Sequence, residues 1–326
     1  MKIEDIANLT EGELLNAPAV TAVDAATVYQ SKVEQGDAFF SSSQDDIDKA
    51  IERGAYAIIF DDPAIVRNDD EIAWIRVDDI QKAAERLLRY IAIQKEARFF
   101  YADVHTIDFI KMIVTHKRRI AFLNDDWRKR FESIVNGEAD LFVGSDAALL
   151  RIIKPDYETL SSKVKGYIIA DTLFRTTFKA DGFIYQEKEL APFHLDALLR
   201  AVAFAKAHDL PYDIDRVRYT RRFIPVFIDG NLHVVPKGRS DKALIFVDNF
   251  DDIEAAREYL YRSQRWIKSI VLTPPKTKLP SGDRPVWYET EEQLRDLLKH
   301  SFYHYAFIYR ADVSILRRID EQQTLF

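Results

Sequence analysis

The sequence predicts an α/β protein of several domains, and three observations carry that reading. Short apolar runs alternate with amphipathic segments of helical period, the pattern of strands joined by crossover helices. At roughly 150 residues per domain, a chain of 326 residues suggests two or three domains. Apolar residues make up 47% and charged residues 30%, which suits folded domains rather than disorder.

Composition also excludes several chemistries. The chain has no cysteine, which removes disulfide scaffolds, thiol nucleophiles, iron–sulfur clusters and thiolate zinc sites. It has only 10 glycines, so glycine-rich phosphate loops are not expected. No stretch approaches the ~18 apolar residues that cross a bilayer. The first residues, Met1 to Leu15, mix charges and lack a basic start followed by an apolar core, so a cytoplasmic protein is expected. A sequence pI near 5.6 with interspersed charges leaves no electrostatic footprint for nucleic acid.

The elements follow in order. Ile3 to Leu15 is amphipathic, Ala19 to Val28 reads as a strand, and Gly36-Asp37 turns into the strand Ala38-Phe39-Phe40. A helix is predicted over Asp45 to Arg53, closed by Gly54 as its C-cap. Tyr56 to Phe60 is a buried strand, Ile72 to Val77 another, and Asp79 to Ala92 a helix. These complete a first segment, 1–92.

The segment 93–215 is less regular. Arg119 to Leu123 reads as a strand, Asp125 to Val135 as a helix, and Leu141 to Ser145 as a strand and turn. Lys165 to Ala170 and Gly182 to Gln186 suggest two more strands before a helix from Phe193 to Ala207. In the third segment, 216–326, Phe223 to Ile228 and Leu232 to Val235 flank Asp229-Gly230-Asn231 as a predicted β-hairpin. Ala243 to Val247, a helix from Asp252 to Ser263, Ile267 to Leu272, Val286 to Tyr288, a helix from Glu291 to Lys299 and Tyr305 to Tyr309 complete it.

Side chains that carry chemistry are sparse. His300 and His304 have the i, i+4 spacing of a helical metal pair, but no nearby carboxylate completes a set, so aromatic packing is expected. No metal site is predicted. His194 with Asp196 reads as a helix edge. The acidic pairs Asp45-Asp46, Asp61-Asp62, Asp69-Asp70, Asp78-Asp79, Asp125-Asp126 and Asp251-Asp252 mostly precede helices, where carboxylates satisfy free N–H groups. Ser145-Asp146 reads as a turn or cap. No Gly-x-Ser-x-Gly elbow exists, so no serine hydrolase is expected. Arg221 and Arg222, with Arg216 and Arg218 upstream, form the best candidate anion site.

Three segments of the first domain carry a family resemblance. Val33 to Phe40 is similar to a "pGdlFva" strand, Ala50 to Ile59 to an "A...GA.av" helix-to-strand junction, and Ile75 to Asp79 to an "i.V.d" strand and cap. Their order and spacing resemble the N-terminal domain of the Mur ligases, ATP-dependent amide ligases of the peptidoglycan stem peptide. The likeness is closest to the branch that adds the terminal D-alanyl-D-alanine dipeptide. Weaker echoes are Pro192 to Leu198, similar to "G.HN..NalaA", and Phe246 to Phe250, similar to the "DD.YNANP" strand. The resemblance implies a three-segment architecture in which 93–215 is a shortened central domain.

Departures from the pattern shape the functional expectation. Active members cradle ATP with a GTxGKT-type loop after the first central strand. The reading places that locus after Ile120 to Leu123, where Asn124-Asp125-Asp126-Trp127-Arg128-Lys129 has no glycine and sets carboxylates where phosphates would sit. With screening only over ~8 Å, those carboxylates repel a polyphosphate; Asp125 or Asn124 as a helix cap fits better. The family's Thr/Ser-Arg pair corresponds to Gln30-Ser31, and its glycine-containing loop to Ser41-Ser42-Ser43-Gln44. The expectation is a bacterial pseudoenzyme with no catalytic residue and no cofactor, scaffolding or regulating cytoplasmic peptidoglycan synthesis beside a cell-wall enzyme. The alternatives are a ligase with a rebuilt nucleotide site using Arg128, Lys129, Arg221 and Arg222, or a UDP-muropeptide sensor lined by Gly36, Ser41 and Ser42. Finally, Gln322-Gln323-Thr324-Leu325-Phe326 resembles the Q-x-x-L-F peptide that docks on bacterial sliding clamps, which makes Leu325 and Phe326 candidate partner-binding residues.

Overall fold

The computed structural model describes residues 1–162, 164–263, 266–280 and 284–316. The chain forms two compact units, Met1–Asp103 with His116–Leu160, and Val104–Thr115 with Ser161–Phe326. Among the described residues, no helix is long and apolar enough to cross a membrane.

The first unit opens with helix α1 (Ile3–Thr10), β1 (Glu13–Leu14), β2 (Ala26–Thr27), β3 (Ala38–Phe40), α2 (Gln44–Glu52), β4 (Ala57–Phe60), β5 (Ala73–Arg76) and α3 (Ile80–Gln94). Its sheet runs β1-β5-β4-β3-β2, parallel except for β1. Ser43 and Asp79 cap α2 and α3 through their side-chain oxygens. Gly54 closes α2 at φ +93°, as its sequence position predicts. The amphipathic segment from Ile3 is helical to Thr10, where Glu11 takes a left-handed conformation and its N–H bonds back to the last turn. Leu14 pairs instead with Ile75. Of the predicted strand Ala19 to Val28 only Ala26–Thr27 joins the sheet; Ala19 donates to the Glu71 carbonyl, Ala22 forms an isolated antiparallel bridge with Lys2, and Val23 exchanges two bonds with Met1.

A second, wholly parallel sheet follows: β6 (Arg98–Tyr101), then after α4 (Val104–Ile113), which belongs to the second unit, β7 (Ile120–Phe122), α5 (Trp127–Val135), β8 (Leu141–Gly144), α6 (Ala147–Ile153) and β9 (Glu158–Thr159). The order is β7-β8-β6-β9. One apolar core joins both sheets of this unit through Phe40, Ile59, Phe99, Phe131 and Phe142. Sequence patterning missed β6, α4 and α6. β6 is four residues hard against the end of α3, too short for a period to register. Its presence changes one assignment: β7 is the second strand of its sheet in chain order, and the first crossover runs from β6 into α4.

The second unit adds an antiparallel meander, β10 (Gly166–Thr172), β11 (Arg175–Ala180) and β12 (Phe183–Lys188). Sequence reading found the outer two strands but not β11. Then come α7 (Leu195–Ala207), β13 (Phe223–Ile228), β14 (Lys242–Val247), α8 (Phe250–Ser263), β15 (Ser269–Thr273), β16 (Val286–Trp287), α9 (Glu291–His300) and β17 (Tyr305–Tyr309). The last sheet is ordered β13-β14-β17-β15-β16, parallel apart from β13. Alternate residues of β14 enter different cores: Ala243, Ile245 and Val247 on one face, Leu244 and Phe246 on the other. Both faces are therefore covered, as a parallel sheet requires. The predicted hairpin at Asp229 reduces to one bridge, Ile228 to Val234. Asp229 accepts the N–H groups of Asn231 and His233, closing the turn on itself. β13 pairs along its length with β14, which is apolar from Ala243 to Val247.

Candidate functional site

Three helix starts in the second unit bring together His105, His194 and Asp252. His105 is the second residue of α4, His194 directly precedes α7, and Asp252 lies in the first turn of α8. One oxygen, Oδ1 of Asp252, lies 3.0 Å from His105 Nε2 and 2.9 Å from His194 Nε2. The imidazoles stack with centroids 4.1 Å apart and planes at 30°. Phe109, Phe193 and Phe223 meet the His194 ring edge-on or tilted, which keeps water from it. Asn249 holds the second carboxylate oxygen from 2.9 Å and accepts the Asp252 N–H at 2.8 Å. Burial pushes the Asp252 carboxyl up, but hydrogen bonds from His105 and His194 outweigh it, so the group sits well below its usual range.

This grouping corrects the sequence reading in two places. His194 stands at a helix start as expected, yet its ring turns inward and is buried. Asp252 does not cap α8; Asn249 does, and the carboxylate serves the histidines. His105 carries no local signal, because its partners lie 89 and 147 residues away in sequence.

The predicted anion site is occupied by the protein's own carboxylates. Arg222 places Nε 3.2 Å from Asp108 and Nη1 2.5 Å from Asp248. Arg221 approaches the same Asp108 only to 3.7 Å and is largely exposed. Arg218 lies 3.7 Å from Glu189.

In the first unit, Gly36 and Ser41 serve the backbone, and Ser42 bonds an acidic side chain. Gly36 adopts φ +98° and donates its N–H to the Gly54 carbonyl. Ser41 Oγ accepts the Ser43 N–H, and Ser42 Oγ donates to Asp61 at 2.6 Å. A separate cleft of about 390 Å³ is lined by Tyr29, Lys32, Lys129, Glu132, Ser133 and Asn136. Within it Glu132 accepts from Thr27 Oγ1 at 2.5 Å, Val28 N–H at 3.0 Å, Asn136 at 3.0 Å and Lys32 at 3.2 Å. Burial raises the Glu132 carboxyl, and these donors outweigh that, leaving it below its usual value.

The remaining candidates resolve simply. Asp126, not Asp125 or Asn124, caps α5 by accepting the N–H groups of Arg128 and Lys129. Asp146 caps α6 as expected. His300 ends α9, so His304 lies beyond the helix; its ring meets Trp266 and Phe302, the aromatic packing anticipated. Leu325 and Phe326 lie outside the described residues.

No protein-family model and no curated protein matches the sequence. Solved structures do. A crystal structure of MurF from Acinetobacter baumannii aligns with 100% of this chain and 99% of its own at TM-score 0.54 and 12% identity. MurF ligase from Thermotoga maritima in complex with ADP aligns with 92% of this chain and 96% of its own at TM-score 0.52 and 13% identity. The fold is Mur-ligase-like; identities this low speak to fold alone.

Proposed function

We propose that this chain is a non-catalytic Mur-ligase-like protein, a scaffold or regulator of bacterial peptidoglycan precursor synthesis that acts by binding a cell-wall enzyme. Its three segments, 1–92, 93–215 and 216–326, take the Mur-ligase order on this reading. The observation that carries it is the first crossover of the parallel sheet, from β6 into α4. A strand–loop–helix phosphate site needs glycines for close backbone approach and a lysine for the phosphates. This crossover reads Ala102-Asp103-Val104-His105-Thr106, without either. His105 is moreover engaged with Asp252. The ligase alternative is weakened further because Arg222 is held by Asp108 and Asp248. A partner surface is supported by the meander, where exposed Tyr167 and Ile184 flank Lys179 on one face of the sheet.

The test is calorimetric titration with Mg-ATP and, separately, with a UDP-muropeptide. We expect no heat from Mg-ATP and no ATP hydrolysis. Affinity for Mg-ATP tighter than ~100 µM, about 5.5 kcal/mol, would overturn the non-catalytic reading. The sensor reading is favoured by one observation, the first-unit cleft with Lys32 and Lys129 on its wall. Heat with the muropeptide alone, abolished by charge reversal of those two lysines, would select it.

A further inference from the structure

We infer that His105, His194 and Asp252 form a binding site for one divalent metal ion of the zinc class. This stands independently of whether any nucleotide or muropeptide binds. Among the described residues these three are the group whose donor atoms converge, all lying within 4.8 Å of one another. The donor set is two imidazoles and a carboxylate, the composition of zinc sites that keep a fourth position for water.

With metal–ligand bonds of 2.0–2.1 Å, neighbouring ligand atoms of a tetrahedral site stand ~3.3 Å apart. Each imidazole Nε2 already lies 2.9 or 3.0 Å from Oδ1. The rings stack with centroids 4.1 Å apart, so admitting the ion turns one imidazole out of the stack until both Nε2 lone pairs point at it. The metal takes the place of the hydrogen that each Nε2 shares with that oxygen, and each displaced proton passes to the same ring's Nδ1 or to solvent. Outer support is present too: Asn249 grips the other carboxylate oxygen, which fixes the direction in which Oδ1 points. His105 gives access, its side chain being 14% exposed against 6% and 5% for the other two.

The same geometry sets selectivity. Three helix N-termini point positive potential at the cluster, which works against any cation. Only an ion that gains strongly from imidazole nitrogen overcomes that field. Zinc, cobalt and nickel do; magnesium and calcium, which want oxygen, do not.

The experiment uses the full chain and the metal alone. Apo protein is titrated with Zn²⁺ and with Co²⁺, reading retained metal after gel filtration, the cobalt ligand-field spectrum and the melting temperature. We expect one equivalent bound, a tetrahedral-type cobalt spectrum, a rise in melting temperature with Zn²⁺ and none with Mg²⁺. His105→Gln should weaken binding at least 100-fold. Asn249→Ala should weaken it 10- to 100-fold. His233→Ala, at the exposed His233–Asp229 pair, should change nothing. Circular dichroism establishes that each variant folds, and Asn249→Ala decides the matter if His105→Gln does not. No retained zinc in the wild type, or equal affinity in wild type and folded variants, would overturn the site.

Discussion

Glu132 and Thr27 are joined by a buried hydrogen bond of 2.5 Å that ties α5 to the strand β2, 105 residues away in sequence. The same carboxylate takes Val28 N–H, Asn136 and Lys32, so one side chain satisfies four donors. Glu132→Ala leaves these donors without their acceptor, and we expect a loss of about 3 kcal/mol in urea unfolding. The pH dependence has a definite sign. A carboxyl held below its ordinary value of 4.5 stabilises the fold above that pH and loses the contribution as pH falls further. The stability gap between wild type and Glu132→Gln should therefore shrink as pH drops below about 4.5. A gap constant down to pH 3 would contradict the assignment.

Arg221 and Arg222 are neighbours in sequence with unequal roles. Arg222 bridges Asp108 and Asp248, and Asp108 is 8% exposed. Removing Arg222 leaves that buried carboxylate poorly compensated, so Arg222→Ala should cost about 2–3 kcal/mol. Arg221→Ala at its exposed position should cost no more than about 0.5 kcal/mol. Equal destabilisation of the two variants by chemical denaturation would argue against this division.

Gly36 is required by backbone geometry before any ligand is considered. Its φ is +98°, and a Cβ there would meet Asp24 Oδ2 at 2.5 Å. Gly36→Ala should destabilise the first unit by about 1–2 kcal/mol with no ligand present. An unchanged urea midpoint would mean that the turn relaxes and that the glycine serves another purpose.

Asp125 and Asp126 separate capping from mere proximity to a helix. Asp126 accepts two N–H groups at the start of α5, and Asp125 makes no such bond. Asp126→Ala should lower stability by about 1 kcal/mol, while Asp125→Ala should stay within about 0.5 kcal/mol. The reverse order in thermal unfolding would show that the cap has been assigned to the wrong carboxylate.

Local signals account for much of the fold. The helix from Gln44, its glycine stop and the strands at Ala57 and Ala73 were legible because cap, period and breaker coincide within each few residues. The buried runs at Ala243 and Tyr305 were legible for the same reason. What escaped was short or non-local. β6 has no period to display, β11 lies between the two strands that were read, and β13 pairs with β14, whose residues lie some twenty positions further along the chain.

Residue types and spacings within one or two turns are enough to specify an α/β chain, the capped helices, the covered strands, and the lack of thiol chemistry and of any glycine–lysine phosphate loop. Only folding brings His105 and His194 to one oxygen of Asp252, and Arg222 to two acids. It also brings Glu132 to β2. The first of these groupings depends on where three helices begin in space, and no local period encodes any of them. Their physical cause is common to all of them. A buried charge must find its partners wherever the chain brings them, and those partners lie far along the sequence.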